Sequence, residues 1–131
     1  MTIENALDVF LKADNLLTGY VGNRIYWMQA VQSTTMPYLV YQVITDSGDL
    51  FSFGNPSTSE AIIQLDFVGS KKSDKNAMLR VISMLRGFNG LMGGTGGVTI
   101  YSSFQSRASD TFNPDTNKYI FSVDFKIQYQ Y

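Results

Sequence analysis

The sequence predicts an α+β fold, a mainly antiparallel five-stranded sheet with two helices packed on one face. Two segments carry apolar residues at the 3.6-residue period of a helix and five carry strand patterns, in the order αβββαββ. Because two helices are too few to cover both faces of such a sheet, both are expected on one face. A chain of 131 residues has the length of one domain, so a single domain over residues 1–131 is expected.

The first helix is predicted over residues 2–17. Thr2 is a suitable N-cap, because its hydroxyl can accept a bond from a free N–H of the first turn. Glycines at 19 and 22 then interrupt the pattern. One face of this helix is apolar and is expected to face the core: Ile3, Leu7, Phe10 and Leu11.

Three strands are predicted next, over residues 24–28, 38–45 and 60–69. The first is short, aromatic and β-branched. The second is apolar at odd and even positions alike, as expected for a central strand covered on both faces. The third alternates between apolar and polar residues, which is typical of a strand with one buried face.

The second helix is predicted over residues 73–87, with Ser73 as its N-cap and Gly87 just past its end. Two strands follow, over residues 98–105 and 118–131. The last has the clearest alternation in the chain, which predicts an antiparallel strand with one polar face that is solvated or paired. Its apolar face consists of Tyr119, Phe121, Val123, Phe125, Ile127, Tyr129 and Tyr131.

A glycine-rich segment, GFNGLMGGTGG, covers residues 87–97 and holds six of the eleven glycines. In a phosphate-binding loop the glycines follow a strand and precede the helix whose N-terminus holds the phosphate. Here the helix comes first and no Gly-Lys-Ser/Thr follows, so nucleotide binding is not predicted. Two interpretations stay open: a mobile helix-to-strand connection, or a loop that a partner orders. The second makes Gly93, Gly94 and Thr95 candidate partner contacts.

The segment DSGDLFSFGNPSTSE, residues 46–60, joins two predicted strands and is rich in turn-forming residues. Three large apolar residues nevertheless lie in its middle: Leu50, Phe51 and Phe53. Such side chains either fold back as a small core of their own or contact a partner. They are therefore candidate partner-interface residues.

The composition argues against an enzyme. The sequence has no histidine and no cysteine, so the commonest general base, the commonest metal ligand and any thiolate are missing. We predict no catalytic, cofactor-binding or metal site. The formal net charge of −1 gives no electrostatic footprint for nucleic acid, and no apolar run is long enough for a membrane span. Only 16% of residues are charged, which suits a protein buried in an assembly.

Two stretches carry motifs in a recognisable order. In VGNRIYWMQAVQSTTMPYLVYQVI, residues 21–44, a glycine near a helix end is followed by RIY, a variable loop and PYLVY. In IIQLDFVGSKKSDKNAMLRVISMLRG, residues 62–87, a strand precedes a helix that closes on Leu-x-Gly. Together with the long final strand, this order resembles the tail-completion proteins of long-tailed bacteriophages, also called tail terminator or head–tail joining proteins. The glycine-rich segment has no counterpart in the resemblance.

The resemblance implies a structural role in a virion tail. Proteins of this family form a six-membered ring at the head-proximal end of the tail tube, where the ring stops tube polymerisation and joins the tail to the head connector. The implied partners are other copies of this chain, which can be monomeric in isolation, the tail tube protein and the connector or stopper protein. DNA passes through the lumen without specific binding, no membrane is involved, and assembly takes place in the cytoplasm of the host bacterium.

The residues by themselves leave an alternative, which is a non-enzymatic α+β module that binds a small ligand or a protein. Such a module would place its ligand between the sheet and the helices. A monomer with a deep apolar pocket would favour this alternative.

Overall fold

The computed structural model describes residues 1–31, 33–48 and 58–130. Leu50, Phe51 and Phe53 lie outside the described residues. The helices and strands follow in this order: α1 (Ile3–Lys12), α2 (Asn15–Val21), β1 (Ile25–Trp27), β2 (Tyr38–Gly48), β3 (Thr58–Gly69), α3 (Lys75–Leu85), β4 (Gly90–Met92), β5 (Val98–Asn113) and β6 (Lys118–Gln130).

The described strands form one six-stranded sheet in the spatial order β1-β2-β3-β6-β5-β4. Strand β1 runs parallel to β2, and the other neighbouring pairs are antiparallel. Strand β3 pairs with β6 over its whole length, and the two strands form the centre of the sheet. The register shifts once in β2 and twice in β5, between Val43 and Thr45, Ile100 and Ser102, and Gln105 and Arg107. Such irregularities bend and twist a strand locally.

The predicted fold class is wrong. Instead of a mainly antiparallel five-stranded sheet with two helices in the order αβββαββ, the described part of the chain has a mixed six-stranded sheet and three helices. The parallel direction of β1 was missed because a three-residue strand carries no periodicity that shows its direction. The extra helix and the extra strand each have a local cause.

The extra helix results from a break in the predicted first helix. Helix α1 ends at Lys12, and Asp14 then takes an extended conformation and starts α2. The Asp14 carboxylate accepts a hydrogen bond from the Leu17 N–H at 2.8 Å, which is an N-cap interaction. At the start of α1 the predicted cap is confirmed, since the Thr2 hydroxyl oxygen accepts a bond from the Asn5 N–H at 3.1 Å.

The extra strand lies inside the glycine-rich segment 87–97. Gly87 has a φ of +73° and follows the end of α3, as predicted. The next residues are not an irregular connection, however, because β4 pairs antiparallel with the start of β5 and Met92 opposes Val98. Met92 is fully buried in the core. Strand β4 is only three residues long and has glycines on both sides of Leu91 and Met92. Its sequence therefore could not show the two-residue period of a strand.

Helix α3 begins later than predicted. Ser73, the predicted N-cap, lies in a short 3-10 turn, and the α-helix starts at Lys75. The carboxylate of Asp74 faces back towards β3 and accepts bonds from the backbone N–H groups of Ser70 and Lys71 at 2.8 and 3.2 Å. This carboxylate therefore holds the turn between β3 and α3.

One hydrophobic core fills the space between the three helices and the inner face of the sheet. The predicted alternation of the last strand is confirmed, because the side chains of β6 that enter the core are Phe121, Val123, Phe125, Ile127 and Tyr129. The helices contribute buried residues from one face each, among them Ile3, Leu7 and Leu11 of α1 and Met78, Val81 and Leu85 of α3. No helix in the described ranges is long and apolar enough to cross a membrane.

Candidate interaction surfaces

The predicted partner residues Gly93, Gly94 and Thr95 lie in the connection between β4 and β5. Gly93 has a φ of +94°, and a Cβ built on it would lie 2.8 Å from Cα of Ala6 in α1. This glycine is therefore required by a close approach of two backbones. Gly94 and Thr95 are exposed. Of the three predicted partner residues, only Gly94 and Thr95 are therefore exposed to a partner.

The strand register brings the two predicted partner segments to the same end of the sheet. Thr58, which follows the undescribed residues of segment 46–60, pairs with Gln130, and Gln130 pairs with Thr99. The glycine-rich segment ends at residue 97, and Thr99 is the second residue after it. We call this the Gln130 end of the sheet. Segments separated by 26 residues of sequence thus lie at one end, a proximity that no local pattern could indicate.

An apolar groove lies between α1, α3 and β4 and has a volume of about 480 Å³. Val9 and Leu91 on its rim are 45% and 57% exposed, which is unusual for aliphatic side chains that flank the same concavity. We call it the Val9–Leu91 groove. It is lined by Val9, Phe10, Ala13, Asp14, Arg80, Met84, Leu91, Gly93 and Gly94. Sequence reasoning identified only the two glycines, although an apolar Val9 on the polar side of α1 was a readable signal.

An ion pair closes one side of the Val9–Leu91 groove. The Arg80 guanidinium donates two hydrogen bonds to the Asp14 carboxylate, at 2.6 and 3.0 Å. The hydrogen bond from Arg80 lowers the pKa of Asp14 below its ordinary value of 3.8, and the same contact raises the pKa of Arg80. The two charges neutralise each other, so the groove presents no unpaired charge to an occupant.

The face of the sheet opposite the helices is polar, and its charges are paired across strands. This helix-free face carries Glu60, Gln64 and Asp66 on β3, opposite Gln128, Asp124 and Ser122 on β6. Hydrogen bonds join Gln128 to Glu60, Ser122 to Asp66 and Arg107 to Asp124, at 3.2, 2.5 and 3.0 Å. Each of these acids has a hydrogen-bonding partner, and the face does not form the basic surface that phosphate binding requires.

A second apolar surface lies at the other end of the sheet, where Val68 pairs with both Tyr38 and Ile120. We call this the Ile120 end. Met28 and Val31, in the connection between β1 and β2, are 54% and 70% exposed there. Together with the outer side of the strands they border a cavity of about 330 Å³. The molecule therefore exposes apolar side chains at both ends of its sheet.

The described ranges contain no cluster of three or more acidic side chains that could hold a metal ion. No family model matches the chain, and no curated protein matches its sequence. Solved structures do match it. One is a chain from the virion of a native gene transfer agent (GTA) particle, with a TM-score of 0.64 and 16% sequence identity over 96% of this chain and 94% of that chain. The chain has the fold of this virion protein.

A second solved structure has the same TM-score of 0.64, with 12% identity over 100% of this chain and 97% of its own. At these identities the similarity shows the fold, and it does so from end to end. The virion neighbour agrees with the resemblance of the sequence to virion proteins, while the comparisons do not single out the tail-completion family.

Proposed function

We propose that this chain is a structural protein of a phage or phage-like virion, and that it forms a six-membered ring at the head-proximal end of the tail tube. In that position the ring terminates tube polymerisation and joins the tail to the head connector. The observation that carries the proposal is the end-to-end similarity to a chain of a gene transfer agent virion. The order of sequence motifs in residues 21–44 and 62–87 supports the tail-completion role within that class.

The surfaces of the molecule support a protein with two different partners. A terminator contacts the tube on one side and the connector on the other, and this chain exposes apolar side chains at both ends of its sheet. Leu91 lies at the Gln130 end, whereas Met28 and Val31 lie at the Ile120 end. The charge-paired helix-free face and the net charge of −1 suit a channel that does not bind DNA tightly.

The alternative function is a non-enzymatic module that binds a small ligand. The Val9–Leu91 groove favours it, because about 480 Å³ lies within the range of roughly 300–1,000 Å³ typical of ligand sites. That groove is open to solvent, however, whereas small-molecule sites bury most of their ligand.

Electron microscopy of tails from the particle that encodes the chain would test the proposal. A tagged chain should appear only at the head-proximal end, and averaging should give six copies. Deleting its gene should yield unjoined heads and tubes of irregular length. A terminal density with another symmetry, or a tagged chain distributed through the particle, would contradict the ring. A stable monomer that never joins tails and binds a metabolite would favour the alternative.

A further inference from the structure

We propose that the Val9–Leu91 groove of one subunit binds the apolar side chains of segment 49–57 of a second copy of this chain. The inference rests on the proposed ring and adds the contact that holds neighbouring subunits together. The occupant is a stretch of nine residues that contains Leu50, Phe51 and Phe53.

The groove has the surface chemistry of a site for apolar side chains. Its rim residues Val9 and Leu91 are about half exposed, so an occupant would remove substantial apolar surface from water. Phe10 is partly buried and packs edge-on against Phe88 at a ring-centroid distance of 4.9 Å, which gives the groove a firm aromatic wall. Met84, also partly buried, is unbranched and can adjust its shape to an incoming ring.

The charges in the groove favour an uncharged occupant. Asp14 and Arg80 are the charged residues among those that line it, and each is the hydrogen-bonding partner of the other. A charged ligand would therefore have to separate this pair or remain unpaired. A Leu-Phe-Ser-Phe sequence, as at residues 50–53, needs neither.

The fold places the groove and the segment so that one contact can repeat around a ring. Gly48 and Thr58, the residues that flank segment 49–57, lie at the Gln130 end of the sheet, as do Gly93 and the start of β5. They also lie on different sides of the molecule, because β6 and β5 separate β3 from β4. A contact between two different surfaces is heterologous, and it closes into a ring when the rotation from one copy to the next divides a full turn evenly.

The alternative occupant is the segment of the same chain. Three strand-to-strand spacings, about 14 Å, separate β3 from β4, and nine extended residues can span that distance. The test must therefore distinguish contacts between chains from contacts within a chain.

Disulfide crosslinking provides that test, because the natural sequence has no cysteine. Variants F51C and L91C are mixed in equal amounts, assembled on tails, oxidised and separated without reductant. We expect a dimer with one copy of each variant, and a ladder of up to six chains from the double variant F51C/L91C. The control pairs F51C with L16C, since Leu16 is 60% exposed and does not line the groove. This control should give at least tenfold less dimer.

Two outcomes would overturn the inference. A double variant that forms only an internal disulfide would show that each chain covers its own groove. Rings seen by microscopy without any F51C–L91C crosslink would show that another contact closes the ring, and the proposed function would then stand without this inference. If no ring forms at all, the proposed function fails. Should L91C not fold, V9C replaces it, because Val9 also lines the groove and is exposed.

A second experiment measures ring formation and uses the melting temperature of the free subunit as its internal control. L91S should reduce the fraction of chains in rings at least tenfold while leaving the melting temperature of the free subunit unchanged, because Leu91 is exposed there. The matched variant L16S should affect neither property. Normal ring formation by L91S would contradict the proposed contact.

Discussion

The Arg80 side chain joins α3 to the N-cap residue of α2 by two hydrogen bonds to the Asp14 carboxylate, across 66 residues of sequence. The same carboxylate also accepts the bond from the Leu17 N–H that caps α2. One acidic side chain thus starts a helix and anchors it to another. Since Asp14 and Arg80 border the Val9–Leu91 groove, this contact also determines the shape of one of its walls.

Removing the Asp14 carboxylate should separate these two roles. Asp14→Ala should lower the free energy of unfolding by about 1 kcal/mol for the lost cap, and further because Arg80 loses its partner. Asp14→Asn should lower it less, because asparagine caps a helix about as well as aspartate. Urea unfolding of both variants would measure the difference. Equal losses would show that the cap adds nothing beyond the ion pair, and an Asp14→Asn variant as stable as the natural protein would show that the ion pair adds nothing beyond the cap.

The Asp14 contact should also make stability depend on pH. The pKa of Asp14 in the folded protein lies below its ordinary value of 3.8, so its contribution is present above that value and is lost as the pH falls through the lowered pKa. The stability difference between the natural protein and Asp14→Asn should therefore shrink as the pH falls below 3.8. Chemical unfolding at several pH values would measure it, and a difference independent of pH would contradict the assignment.

Two glycines should respond to alanine in opposite directions. A Cβ on Gly69 would lie 2.4 Å from Cβ of Asp74, whose carboxylate holds the turn before α3, so Gly69→Ala should destabilise the protein by about 2–4 kcal/mol. Gly19 lies within α2 with nothing within 4 Å of a built Cβ. Gly19→Ala should therefore stabilise the protein by about 0.5–1 kcal/mol. Thermal unfolding would compare the two, and the reverse order would be inconsistent with this packing.

Hydrogen exchange should divide the glycine-rich segment into two parts. The backbone of β4 pairs with β5 and carries the buried Met92, so its bonded amides should exchange at least about tenfold more slowly than those of Gly94, Thr95 and Gly96. The mobility that the sequence predicted for the whole segment is then expected only of these exposed residues. Uniformly fast exchange over residues 88–97 of the free subunit would contradict the paired strand.

Nucleotides should not bind to the glycine-rich segment. It follows the C-terminus of α3, where carbonyl groups and the negative end of the helix dipole disfavour phosphate. Calorimetric titration with ATP or GTP should give no saturable signal at millimolar concentrations. A micromolar signal that disappears on substitution of Gly93 and Gly94 would show instead that this segment holds phosphate.

Local chemistry determined much of the structure from the sequence alone. The period of α1, its Thr2 cap, the alternation of β6 and the glycine after α3 were all readable, because each depends on residues within one or two turns or on one strand. The absence of histidine and cysteine likewise shaped the functional prediction without reference to a fold. The glycine-rich segment was recognised as important, but its strand was not, since three residues cannot show a period.

Only the tertiary structure decided the relationships between distant segments. The parallel pairing of β1, the approach of Gly93 to α1 and the Asp14–Arg80 contact join residues whose meeting depends on the path of the whole chain. The Val9–Leu91 groove is of the same kind, because its lining comes from α1, α3 and β4 and no single segment carries its pattern. Periodicity shows which side of an element is apolar. Only packing shows which of those side chains the core leaves uncovered.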